Sequence, residues 1–171
     1  MELVKKHKRN PKKKVRLIFD ISAIAHYIVL AAVFALVVYA VNSVVFTAIN
    51  ASPTNQVGNG ILALYEVHNT GAAFNLFAGQ TQFIVSASFV AIAVIALSVM
   101  FMSAKLNQTA ISAMSSLTAG ISMNLYERIT HGYVIDYISL EFAKNFPVFN
   151  MADILIVVGA IGLVFSLLTR R

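Results

Sequence analysis

The chain has 171 residues, of which 58% are hydrophobic and only 12% charged; a typical soluble domain carries about 25% charged residues, so an ordinary water-soluble globule is excluded. There is no cysteine, which excludes a disulfide scaffold, a thiolate zinc site and a cysteine nucleophile. The net charge of +6 is uneven: eight of the thirteen Lys/Arg lie between Lys5 and Arg16, directly ahead of an apolar segment, and such a run reads as a cytoplasmic tail drawn to anionic headgroups rather than as a nucleic-acid-binding arm.

Residues Met1 to Arg16 form this tail, and residues 17–171 read as one integral-membrane domain. From Ile21 to Ala48 the text is almost continuously apolar. That is about twice the apolar core of a secretory signal peptide, so a retained transmembrane helix is expected. Asn50 to Asn59 is rich in turn formers and ends it. ILALYEV, beginning at Ile61, suits a short strand, and NTGAAF, beginning at Asn69, a turn of small residues where a backbone or ligand comes close. Phe83 to Met102 is a second apolar run of bilayer-spanning length. Lys105 to Gln108 is a short polar turn. Ala110 to Leu125 is a weaker third run, laden with Ser, Thr, Ala and Gly, residues that let membrane helices approach closely. Ile154 to Leu168 is the fourth, followed by Arg170 and Arg171.

Four spans place both termini on one side, with the basic tail, Lys105 and the terminal Arg pair in the cytoplasm. The expected architecture is therefore a membrane all-α protein of four transmembrane helices, both termini cytoplasmic, with a small extracytoplasmic β-containing cradle. The segment Asn124 to Asp153 then becomes the centre of interest, because it holds four of the seven acidic residues. Asp136 lies within YVIDYI and Asp153 within FNMADILIV, surroundings in which a carboxylate is costly unless paired or used. They are seventeen residues apart, and a turn at Lys144-Asn145 and Pro147 can bring them together at headgroup level. Two adjoining carboxylates share a proton, so one can activate a water while the other polarises a carbonyl. Blander roles stand beside this one. An Asp in the first turn of a helix caps it, with Asn150 as its partner. Asp136 could face water from an edge strand. Arg128 is a candidate partner for a carboxylate, or half of an interfacial pair with Glu127. His68 and His131 lack the spacing of a metal site, and no metal or other cofactor is expected.

Three boxes carry a resemblance. The first is HNTGAAFNLF, centred on Asn69 to Phe74. The second is NLYERITHGYVIDYISL, with Asn124, Arg128, Gly132 and Asp136. The third is FPVFNMAD, with Asn150, Ala152 and Asp153. In this order they resemble the lipoprotein signal peptidases, or signal peptidase II, four-helix aspartyl peptidases of bacterial inner membranes, and the likeness covers the chain after its basic tail. It implies that Asp136 and Asp153 are catalytic. It implies that Asn69, Gly71, Asn124, Arg128 and Asn150 support them or bind substrate. The implied reaction removes the signal peptide from diacylglyceryl-modified prolipoproteins, before the lipidated cysteine, by a monomer among membrane lipids with its site on the extracytoplasmic face. Four positions depart from the family pattern. Asn42 with Phe46 stands where an Asp and a Lys are usual in helix one, Met123 where a glycine is usual, and Glu127 where an Asp is. Two other functions remain open on the residues alone: a non-catalytic relative that binds lipidated proteins, and a small ion or proton transporter using the same two acids.

Overall fold

The computed structural model describes residues 19–72, 76–143 and 145–169. The basic tail, the end of the NTGAAF box, Lys144 and the terminal Arg pair lie outside the described residues. The element order is α1 (Ile21–Ala51), β1 (Val57–Gly58), β2 (Leu62–Asn69), α2 (Thr81–Met102), a 3-10 turn (Ser103–Lys105), α3 (Gln108–His131), β3 (Val134–Leu140) and α4 (Met151–Leu168). Each sequence-expected helix is present, and ILALYEV and VIDYI are strands. The third helix runs further than the apolar text suggests, from Gln108 to His131, so that Glu127 and Arg128 are helical.

The helix ends follow local chemistry. Asp20 caps α1, accepting from the N–H groups of Ser22 (2.9 Å) and Ala23 (3.2 Å). Asn107 caps α3, accepting from the Ala110 N–H at 2.8 Å. Gly132 ends α3 in the left-handed conformation (φ 85°), where a glycine avoids the steric cost a side chain would bring.

Residues 21–51, 81–105 and 151–168 form helices long and apolar enough to cross a membrane. Their large apolar side chains point outward, among them Leu36, Phe89, Val94, Ile161 and Phe165. An outside this apolar suits a lipid solvent. α3 is more polar and lies inside, packing most extensively on α4, then on α1 and α2. Its hydroxyls serve the helix contacts: Ser116 Oγ donates to the Leu155 carbonyl (2.7 Å), Ser115 Oγ to that of Tyr27 (3.1 Å), and Thr118 meets the Tyr27 hydroxyl (2.8 Å). One apolar cluster joins α1, α2 and α3 through Ala23, Tyr27, Val99 and Ile111. A second joins α1, α3 and α4 through Val38, Ala119, Ala152 and Leu155, with Met123 packed against it. Met123 is thus a filler of that cluster.

The three strands form one antiparallel sheet in the order β1-β2-β3. Val67 pairs with Asp136, and Asn69 with Val134, beyond an irregularity between Leu64 and Val67. The chain then returns, and Phe149 bridges Ile138. The Phe149 carbonyl accepts from the N–H of Ile138 (2.8 Å) and of Tyr137 (3.1 Å), and the Phe149 N–H donates to Ile138 (3.1 Å). These bonds fasten the residue ahead of α4 to the strand that carries Asp136.

Candidate active site

Asp136 reaches the site from β3 and is 3% exposed. Its Oδ2 accepts from Asn69 Nδ2 at 2.8 Å, across the strand pair, and its Oδ1 from Asn150 Nδ2 at 2.9 Å. Asp153 reaches it from the first turn of α4. There it forms a reciprocal capping box: its Oδ2 accepts from the Asn150 N–H (3.1 Å), and Asn150 Oδ1 accepts from the Asp153 N–H (3.0 Å). The other oxygen of Asp153 accepts from Asn124 Nδ2 on α3 at 2.8 Å. Asn150 Nδ2 also donates to Asn124 Oδ1 at 3.1 Å. The two acids are therefore linked through two amides, Asp136 to Asn150 to Asn124 to Asp153. The capping role of Asp153 is real, and it leaves one oxygen turned toward Asn124.

Burial is the main reason that Asp136 holds its proton more tightly than an ordinary carboxyl, its pKa rising from 3.8 to about 6. The negative charge of Asp153 adds to this, while the donors Asn69 and Asn150 and the cation of Arg128 oppose it. Two carboxylates in one buried site cannot both ionise cheaply.

All seven residues singled out from the sequence converge. Asn69 Oδ1 accepts from the Gly71 N–H (2.9 Å), which orients its amide so that Nδ2 faces Asp136. Arg128 makes its hydrogen bonds to carbonyls, from Nη2 to Gly71 (2.7 Å) and from Nη1 to Asn124 (3.2 Å), while its charge acts on Asp153, Asp136 and Glu127. It fastens Gly71 to α3, and its buried Nε has no hydrogen-bond partner among the described residues. His68 stacks on Tyr133 with ring centroids 4.1 Å apart. Among the described residues no three His, Asp or Glu side chains group as a metal site.

Behind the acids lies a second polar group that sequence reasoning missed. Tyr137, fully buried, donates from its hydroxyl to Asn42 Oδ1 at 2.7 Å. Asn42 Nδ2 donates to Glu127 Oε1 (3.3 Å), and Glu127 Oε2 accepts from the Ile135 N–H (2.7 Å). Burial above all raises the Tyr137 pKa to about 12, so the phenol stays a donor. The signal available in the sequence was the pair of departures Asn42 and Glu127, which meet each other in space.

A cavity of about 800 Å³ opens from the acids. Asn69, Asn124, Arg128, Asp136 and Asp153 line one part of it. Ile84, Ile121, Ile154, Val157 and Val158, from α2, α3 and α4, line another. The site is thus a polar cluster continuous with an apolar trough between helices.

Comparison with known proteins agrees with this geometry. Residues 28–169 match the family model described as signal peptidase (SPase) II. The chain belongs to the signal peptidase II family. It is an aspartyl peptidase, and so a hydrolase, and a membrane protein. A lipoprotein signal peptidase of Dehalococcoides mccartyi (strain 195) is 37% identical over 127 residues, 71% of this chain and 77% of the relative. That of Lactiplantibacillus plantarum is 29% identical over 143 residues, 83% of this chain and 93% of the relative. A bacterial membrane enzyme solved by the in meso method at 2.3 Å resolution has the same fold (TM-score 0.70, 22% identity, 88% of this chain and 90% of that one). A second such structure, at 1.9 Å, gives a TM-score of 0.63 over 90% of this chain and 97% of the other. In this peptidase Asn69, Asn124 and Asn150, from three separate segments, converge on the two acids.

Proposed function

We propose that the peptidase removes the signal peptide from diacylglyceryl-modified prolipoproteins, cutting before the lipidated cysteine with a water activated by Asp136 and Asp153. The observation that carries the mechanism is the placement of these two acids on one amide-linked cluster at the mouth of an apolar trough. Asp153 accepts two N–H donors at a helix start, an environment suited to a carboxylate. It takes the proton of the attacking water. Asp136, with its raised pKa, keeps its proton and donates a hydrogen bond to the scissile carbonyl, then passes the proton on as the tetrahedral intermediate collapses. Asn124 and Asn150 hold the two carboxyls in register. Asn69 holds Asp136, and Arg128 holds the Gly71 carbonyl, its Nε–H serving a substrate carbonyl or ester.

The trough suits both parts of such a substrate, an apolar signal helix and an acyl-bearing cysteine. Each buried methylene contributes about 0.8 kcal/mol, so the lipid can hold the scissile bond at the depth of the acids. For the membrane we propose four spans, with α3 as the fourth, shielded from lipid by its neighbours. Its 24 residues extend about 36 Å at the α-helical rise, enough to cross. The termini and Lys105 then lie in the cytoplasm and the sheet and acids outside it, in the bacterial inner membrane. A monomer suffices, since one chain supplies the whole cluster.

A precursor bearing diacylglyceryl-cysteine, incubated with the peptidase in mixed micelles, is expected to show release of the signal peptide on a gel. Absence of release, where a known lipoprotein signal peptidase processes the same precursor, sinks the proposal. A cysteine at Ser139 is expected to react with a membrane-impermeant reagent added outside spheroplasts, and protection there overturns the orientation.

The raised pKa also fixes a pH dependence. The reaction needs Asp136 protonated, and this form is present below its pKa and lost as pH rises through it. In kcat/KM, which reports the free enzyme, the alkaline limb is expected near pH 6, with a fall of about tenfold per pH unit above it. In kcat the same limb is expected at higher pH, because bound substrate buries Asp136 further. A flat profile from pH 5 to 9 would contradict the assignment of the acid.

A further inference from the structure

We propose that Tyr137, acting through Asn42 and Glu127, is a positioning residue that sets the separation of the two carboxylates. This rests on the proposed pairing of Asp136 and Asp153 as the catalytic acids.

The hydrogen bonds form one continuous chain that ends on both sides in a backbone N–H. The Met151 N–H donates to the Tyr137 hydroxyl (3.2 Å), which donates to Asn42 Oδ1 (2.7 Å). Asn42 Nδ2 donates to Glu127 Oε1 (3.3 Å), and Glu127 Oε2 closes the run by accepting from the Ile135 N–H (2.7 Å). One end is the first residue of α4, two before Asp153. The other is the strand residue directly before Asp136. In between, the chain crosses α1 and α3, so four elements are fixed to one another on the side of the acids away from the cavity. The Tyr137 hydroxyl both accepts and donates in it. An amide has one oxygen and one nitrogen, so the tyrosine donor and the carboxylate acceptor together fix which way Asn42 faces. The Met151 N–H is a helix-start donor that the helix itself cannot satisfy. The Tyr137 ring is held independently of its hydroxyl, edge-on to Phe46 at 5.6 Å between centroids. The hydroxyl can therefore be removed while the ring stays.

This predicts a distinctive kinetic signature. When two carboxyls interact, the splitting of their two apparent pKa values depends on how close they are. Loosening the frame separates them, so the acid and alkaline limbs of the pH–rate profile draw together. A mere loss of folded enzyme lowers the profile without moving its limbs. The other charged and titratable groups around the acids and the chain, namely Arg128, Glu127 and His131 on α3 and His68 on β2, remain in the variants.

The test compares wild type, Tyr137→Phe, Asn42→Ala and the double variant on a diacylglyceryl-modified precursor peptide in mixed micelles, with Asp136→Asn and Asp153→Asn in the same series. Tyr137→Phe is expected to lower kcat about tenfold to a hundredfold, the scale of a small misplacement at a reacting centre. KM is expected to stay within about twofold, as for an interaction used only in the transition state. The pH–rate limbs move toward each other. Asn42→Ala does the same, and the double variant is no slower than the slower single, since both break one chain. Phe46→Leu, which disturbs packing beside the ring, leaves the limbs in place. Unmoved limbs in Tyr137→Phe, or losses that simply multiply in the double variant, overturn the proposal. If Tyr137→Phe matches wild type while both Asp variants are dead, only this proposal fails; if the Asp variants still cleave, the catalytic pairing fails with it.

Discussion

Asp136→Asn and Asp153→Asn are each expected to abolish signal-peptide release, with kcat/KM falling at least about a thousandfold, the scale of losing a group that acts jointly with its partner. The reasons differ between the two. Asn at 153 still caps α4, because its amide oxygen can accept from the Asn150 N–H, but it cannot take a proton from water. Asn at 136 cannot deliver a proton to the leaving nitrogen. Each change is expected to leave the protein folded. The pKa of Asp136 is raised in the folded state, so the folded protein binds more protons than the unfolded chain between about 3.8 and 6, and stability falls as pH rises across that window. Above it the folded state carries the cost of a buried charge, and Asn removes that cost. Against this, Asn presents one acceptor where Asp136 accepts from both Asn69 and Asn150, so one donor loses its partner. The two effects oppose each other, and Tm at pH 8 is expected to shift by only a few degrees. On the proposed mechanism the acids act as a unit, so the double variant should be no slower than either single one. Either single variant retaining a tenth of wild-type activity would remove that acid from the mechanism.

The acids themselves were legible because a charge in apolar text is costly enough to demand a reason. For Asp153 the capping reading holds: the capping box with Asn150 is present, and the same geometry presents the other oxygen to Asn124. For Arg128, sequence position says that a cation is near carboxylates, as it is, but not which acceptor its hydrogen bonds meet. The Gly71 carbonyl comes from a turn 57 residues away and takes its Nη2 at 2.7 Å. Tyr137 was invisible for a different reason. Strand alternation puts it on the face opposite Asp136, and an isolated sheet would expose that face. Here both are buried, because α1 covers the second face with Asn42 and Phe46. No local pattern encodes that contact. The polar text of α3 was legible as a close-packing surface but not as a length, since its last turn carries Glu127, Arg128 and His131, residues that read as a loop until Gly132 is seen to cap it.

The close packing of α3 on α4 gives the second large effect. A methyl group at Gly120 would stand 2.5 Å from the Ala152 carbonyl oxygen and 2.7 Å from Ile156 Cγ1. At Gly159 it would stand 2.8 Å from the Ala113 oxygen and from the Leu117 backbone nitrogen. Most of these obstacles are backbone atoms, which move only if the helices part. Gly162 is different, since its nearest neighbour would be the Ala113 methyl at 3.2 Å. Replacing glycine by alanine in a helix interior gains about 0.5–1 kcal/mol of propensity, while overpacking costs about 1–3 kcal/mol. Gly120→Ala and Gly159→Ala are therefore expected to be net destabilising, and Gly162→Ala close to neutral. Activity separates the first two. Gly120 abuts Ala152, the residue beside Asp153, and lies one helical turn before Asn124, so parting the helices there pulls Asp153 away from Asn124 Nδ2. A displacement of about 1 Å at a reacting group can cost about a hundredfold in rate, and kcat is expected to fall on that scale. Gly159 lies six residues beyond Asp153, about 9 Å along α4 by the helical rise, and its replacement should lower Tm with kcat per folded molecule within about threefold of wild type. Thermal unfolding in detergent and single-turnover cleavage, measured on the three alanine variants, decide the matter. Equal losses of kcat at Gly120 and Gly159 would mean that helix separation anywhere along the contact reaches the acids, and that Asn124 does not hold Asp153 locally.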